Sequence, residues 1–169
     1  MVDGMQSLSD AVDARTAFTT AFRLHPAGVA IVAAETSEGL AGLTVSSLAS
    51  VSVDPFAVSF SVTSSRGSAG AVLGADTIGI SLLDARHVDV ADAFARPGAP
   101  RFTTNQGWTS FESGEPILRD AHAALCCVIV ETIAVGSSTL VVAEVLETRL
   151  GSSTQPPMVY RDRAFHTLT

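Results

Sequence analysis

Apolar and polar positions along this chain sort it into many short strands and few helices. Ser7-Leu8-Ser9-Asp10 forms a capping box, and Val12, Phe18, Ala21 and Phe22 follow at helical spacing. This predicts an amphipathic helix, closed by His25-Pro26-Ala27-Gly28. Residues 29–34 are apolar throughout and predict a buried strand, with a polar turn over 35–39. Residues 40–45 and 57–62 predict strands on either side of a hydroxyl-rich loop, and Ser68 is placed to cap a short helix running to Leu73. Residues 77–83 predict another buried strand and 88–94 a helix. Residues 97–116 read as a long covering loop around the lone Trp108. Strands over 125–135 and 140–150 make a long hairpin turning at Gly136-Ser137-Ser138-Thr139, and a last hairpin turns at Arg161-Asp162-Arg163. Many strands joined by short turns, without alternating βα units, predict a mainly β fold with a few helices, a closed or split β-barrel.

Composition supports a single folded domain. With 169 residues, 47% of them hydrophobic, the chain can bury roughly two-thirds of its unfolded surface in one core. Residues 1–16 read as a lead-in and the start of the first helix, and 17–169 as the domain. The longest apolar run, 123–130, is far short of the ~20 residues a membrane helix needs. No basic stretch followed by an apolar segment opens the chain, so the expected location is cytoplasmic, with no membrane partner. A net charge of −7 argues against a nucleic-acid partner.

Missing residue types exclude whole chemistries. All ten basic residues are Arg, so no Schiff base and no lysine-bearing phosphate loop can form on this chain. Neither CxxC nor HExxH occurs, so no metal site is expected. Cys126 and Cys127 are adjacent in an apolar strand, where neighbours point to opposite faces; they are expected to be core residues. No GxSxG elbow offers a serine nucleophile. There is no GxGxxG either, since Gly67, Gly70 and Gly74 have the wrong spacing, so any nicotinamide nucleotide must visit a cleft as a substrate.

What remains is a concentration of hydroxyls from Thr44 to Ser68, carried on GLTVSSLASVSVDP (42–55) and on Ser64-Ser65-Arg66-Gly67-Ser68. Hydroxyls donate and accept without filling space, which suits a flat polar ligand resting against the backbone. Ser64, Ser65, Arg66 and Ser68 beside a helix start are suited to an anion such as a phosphate.

The 42–55 segment resembles the Gly-x-Thr-x-Ser-Ser-x-x-Ser-x-Ser-x-x-Pro-Pro segment of the flavin reductase-like family, with Phe56 where a second Pro is common. FRLHPAGV (22–29), Phe94-Ala95, Arg101-Phe102, Trp108, EPIL (115–118) and MVYRDRAF (158–165) resemble further family segments in order. The resemblance implies an FMN-binding split barrel. It implies an oxidoreductase binding FMN (or FAD), with NAD(P)H as co-substrate and hydride passing from nicotinamide to flavin. It also implies a homodimer with flavin sites at the subunit boundary, and the supply of diffusible reduced flavin to a monooxygenase component. Thr44, Ser46, Ser47, Ser50 and Arg101 become candidate flavin contacts, and Ser64, Ser65, Arg66 and Ser68 the phosphate seat. Family members often carry Gly-Asp-His-Thr where this chain has Gly136-Ser137-Ser138-Thr139. Ser138 therefore occupies the position of a histidine placed near the nicotinamide, with Tyr160 or Arg161 as candidates to replace it. That departure keeps open an FMN carrier that does not turn over NAD(P)H. A split-barrel oxidase of a small amine is a second alternative, disfavoured by the few cationic residues in the barrel segment.

Overall fold

In the computed structural model, which describes residues 13–168, Asp13 caps the first helix, α1 (Ala14–Leu24). Its carboxylate accepts the main-chain N–H groups of Arg15 and Thr16 at 3.2 and 3.3 Å. The Ser7–Asp10 capping box lies outside the described residues. The helix ends at His25, as its sequence predicts. The strands that follow are β1 (Ala27–Gly28), β2 (Ala30–Thr36), β3 (Gly39–Val45), β4 (Ala49–Val53) and β5 (Phe56–Val62). Helix α2 (Gly67–Leu73), β6 (Thr77–Leu82) and α3 (Val88–Ala95) come next, then β7 (Trp108–Ser110) and β8 (Pro116–Leu118). The long strands β9 (Ala123–Val135) and β10 (Ser138–Leu150) precede the closing pair, β11 (Met158–Arg161) and β12 (Ala164–Thr167).

Seven strands pair antiparallel in the order β3-β2-β6-β9-β10-β5-β4. The edges β3 and β4 do not pair with each other; the chain passes between them through residues 46–48. There the Ser47 hydroxyl takes the N–H of Ser61 at 2.9 Å and donates to its carbonyl at 3.2 Å. A curled sheet with a side-chain tie across its open seam is a split barrel.

The core has two main parts because β2 is buried on both faces. Ala30, Val32 and Ala34 face the barrel interior with Phe60, Val62, Ile80, Cys127 and Val141, and α2 adds Val72 to this layer. Ile31 and Ala33 face outward, where α3 covers them with Ala91 and Phe94 alongside Leu118 and Met158. A strand covered twice needs an unbroken apolar run, which explains residues 29–34. Each large side chain buried this way contributes about 1.5–3 kcal/mol. Cys126 lies in a third, smaller cluster with Phe111 and Ile117, so the two cysteines do point to opposite faces.

The sequence reading needs correction at several elements. Half of the expected hydroxyl-rich loop is the edge strand β4, which pairs with β5 through a bulge between Ser50 and Ser52. The 97–116 covering loop contains β7, folded back onto β8. The β9–β10 turn is two residues, Gly136-Ser137, so Ser138 and Thr139 belong to β10. Gly136 has a φ of 59°, the left-handed conformation that a tight hairpin turn demands.

Candidate functional site

Hydroxyls collect along the seam because β3, the crossing segment and β5 all carry them there. Ser46 and Ser50 are exposed, while Ser47 is engaged with Ser61. β5 then runs out through Val62 into the exposed Ser64–Arg66 turn. Strand register brings the hairpin tip to the same end of β5, since Thr139 lies opposite Val62. Ser138, half-buried at the start of β10, therefore comes to the hydroxyl turn. Tyr160 does not. It sits on β11 in the separate three-stranded sheet, 5.3 Å from the Phe165 ring, lining a small hollow with Thr19, Arg23 and Arg163.

The face of β3 expected to receive a ring is already filled. A Cβ on Gly42 would sit 2.9 Å from Phe94 and 3.1 Å from Phe102, so the missing side chain makes room for these aromatic rings. Thr44 shares that face, and its hydroxyl donates to the Ala91 carbonyl of α3 at 2.7 Å. Both residues fasten α3 to the sheet, and the Thr44 hydroxyl has no proton left for a ligand. Arg101 is also engaged, donating from Nη1 to Ser68 Oγ at 2.8 Å and to the Gly42 carbonyl at 3.0 Å.

The Ser64–Ser68 turn owes its shape to two glycines. Gly67 has a φ of +57°, where L side chains are strained. A Cβ on Gly70 would lie 2.3 Å from the Ser65 carbonyl oxygen, so Gly70 lets the turn fold back onto α2. Sequence reasoning weighed both glycines only as a failed dinucleotide fingerprint. Ser68 is not the cap of α2, which starts one residue earlier behind Arg66. Ser64 Oγ instead accepts the Arg66 N–H at 3.1 Å. Among the described residues the Arg66 guanidinium has neither a carboxylate nor a carbonyl partner.

Past Ser50 and Ser52 the mouth of the barrel opens into a hollow of about 510 Å³, walled by Leu48, Phe56, Leu125, Val145 and Met158. Its lining is mostly apolar, as suits a flat ring bound against a few polar groups.

The buried ionisable groups lie in structural ties. Burial alone would raise the Asp84 carboxyl, but hydrogen bonds from Arg86 at 2.7 Å and Ser153 at 2.6 Å hold it well below the usual carboxylate range. Burial pushes the neighbouring His87 down, against the opposing pull of the Asp84 charge. This cluster pins the segment before β11 to the end of β6. Glu115 is likewise buried, yet held low by Ser113 and Thr77, whose hydroxyl donates at 2.6 Å. Burial raises the Cys127 thiol to about 12, which removes it as a nucleophile near neutral pH.

Residues 22–169 match the sequence profile of the flavin reductase-like domain. A curated NADH:FMN oxidoreductase of Rhodococcus erythropolis is 31% identical over 157 residues, spanning 90% of this chain and 81% of that protein. The crystal structure of a flavin reductase domain protein from Arthrobacter sp. FB24 superposes with a TM-score of 0.84 at 30% identity, covering 92% of this chain and 96% of that one. The styrene monooxygenase flavin reductase of Pseudomonas putida S12 gives 0.80 at 28% identity, covering 91% and 98%.

Proposed function

This chain belongs to the flavin reductase-like domain family and is an NAD(P)H-dependent oxidoreductase acting on flavin; we propose that its Ser64–Ser68 turn seats the phosphate of FMN. The observation that carries this reading is the unengaged guanidinium of Arg66 among exposed hydroxyls at the end of β5. An arginine without a partner among the described residues, beside serines whose hydroxyls donate to none of them, fits a dianionic phosphate. From the turn, Ser46 and Ser50 lead along the β4–β5 edge to the apolar hollow at the barrel mouth. That path offers hydroxyls and main-chain groups to the polar edge of a flavin, with dry walls for its ring.

When bound, the flavin supplies the hydride-accepting centre. The chain's residues neutralise the phosphate, orient the ring and exclude water; hydride transfer asks no general base of them. The engagement of Asp84 and Glu115 in structural ties accords with this. NAD(P)H enters as a second substrate over the same cleft; Ser138 stands at its phosphate end, since Thr139 lies opposite Val62, whereas the hollow is walled by Val145 and Thr148 farther along β10. Relatives such as the styrene monooxygenase flavin reductase support a role in delivering reduced flavin to a separate monooxygenase. We also propose a homodimer in which the partner subunit completes the cleft.

Replacing Arg66 and Ser65 together by Ala tests the phosphate seat. FMN should weaken by roughly ten- to hundredfold, and riboflavin, which lacks the phosphate, should be unaffected. Equal weakening of both flavins would place the phosphate elsewhere.

A further inference from the structure

Among the described residues, Arg101 is the one that joins the Ser64–Ser68 turn to the rest of the molecule through a charged side chain. It stands on the covering segment after Pro100, and the next residue, Phe102, has a left-handed φ of 56°. Few non-glycine residues adopt that conformation without support. Here the support is aromatic: the Phe102 ring lies 4.9 Å from Phe94 and 4.6 Å from Trp108. Beside it the Arg101 side chain runs inward, with its guanidinium carbon 5.4 Å from the Phe94 ring centre.

There it meets main-chain acceptors from two elements. Nε donates to the Ala93 carbonyl at 3.3 Å and Nη2 to that of Arg96 at 2.9 Å, which caps the C-terminal end of α3. Nη1 donates to the Gly42 carbonyl of β3 at 3.0 Å and to Ser68 Oγ at 2.8 Å. Four of the five guanidinium N–H groups are thus engaged, and among the described residues Ser68 holds the sole side-chain bond. A serine hydroxyl has one proton and two lone pairs, and arginine can only donate. The bond from Arg101 therefore occupies a lone pair of Ser68 and turns its proton away, where it has no acceptor among the described residues. A donor charge on the oxygen also makes that proton a stronger donor in its turn.

We propose that Arg101 is a positioning residue for the cofactor phosphate: it binds no phosphate itself, but fixes and polarises Ser68 so that the serine hydroxyl donates to the anion. This rests on the reading of the Ser64–Ser68 turn as the phosphate seat. It separates the two arginines by role. Arg66 meets the anion directly from solvent, and Arg101 acts from behind through a single hydroxyl.

A double-mutant cycle on Arg101 and Ser68 tests this, read as the preference for FMN over riboflavin in flavin-fluorescence titrations. Ser68→Ala should cut that preference about tenfold. Arg101→Lys keeps the charge but loses the planar fork, and it should cut the preference by a similar factor. The double variant should be no worse than Ser68→Ala alone. Losses that multiply would mean that Arg101 bonds the phosphate itself, and an unchanged preference in Arg101→Lys would remove it from the seat. Riboflavin weakening in step with FMN would reduce its role to general stability. Arg101→Ala should repeat the result wherever circular dichroism shows it folded, and the Lys variant carries the cycle if it is not. A wild-type protein that binds both flavins equally would overturn the phosphate reading itself, and with it this inference, before any variant is made.

Discussion

Ser138 begins β10 one residue before Thr139, which faces Val62 at the end of β5. If the nicotinamide reaches this end of the cleft, a small neutral side chain leaves space where an imidazole would press on its ring, and hydride transfer is sensitive to loose stacking. Ser138→His should raise the rate of flavin reduction by NAD(P)H in stopped-flow by about tenfold, or about 1.4 kcal/mol of barrier, without changing FMN affinity. Fast reduction by the wild type with no response to the substitution would take Ser138 out of the site. No reduction by either protein would favour the FMN carrier. Single residues differ sharply in how much of their role the sequence revealed. The opposite faces of Cys126 and Cys127 follow from the strand period alone. Gly42 and Thr44 read equally well as ligand contacts and as packing, because what fills their face is α3, some fifty residues away in sequence. Local pattern cannot rank a distant helix against a ligand.

Elements with strong periodicity were legible and elements defined by pairing were not. β2, β3, β5, β6 and the long hairpin announced themselves as apolar or alternating runs between turn residues. β4 hid because Ser and Val alternate in it without bulk, and β7 because its three residues become a strand only by meeting β8. The turn before α2 hid for another reason, since its shape depends on an absent atom. Gly70→Ala would set a methyl 2.3 Å from the Ser65 carbonyl oxygen, and neither backbone can yield easily. The variant should lose FMN preference over riboflavin in titration and about 1–3 kcal/mol of stability in urea unfolding. A variant of unchanged stability and preference would show that the turn tolerates displacement and owes nothing to Gly70.

At the scale of the whole molecule, the apolar surface asks for a cover. Val53 is 81% exposed on the edge strand β4 and Val135 62% at the tip of β9, at opposite ends of the sheet. Val51, Phe56, Val130 and Ile133 extend the same character. With a mean hydropathy of +0.37, a two-fold partner burying these strands is the economical solution. Light scattering at micromolar concentration should give twice the 17.4 kDa mass of one chain; a mass near 17.4 kDa would exclude the dimer. No helix among the described residues is long and apolar enough to cross a membrane, so lipid is not called on to cover that surface through a spanning helix. The adjacent cysteines carry a different consequence at this scale. One thiol is sealed in the barrel interior and its neighbour in the outer layer beneath Phe111, with no disulfide between them. Their side chains leave the strand on opposite faces of the sheet, so the chain contains a pair of clocks set side by side. A thiol reagent that reaches Cys126 first records the outer layer lifting, and one that reaches Cys127 records the barrel coming apart.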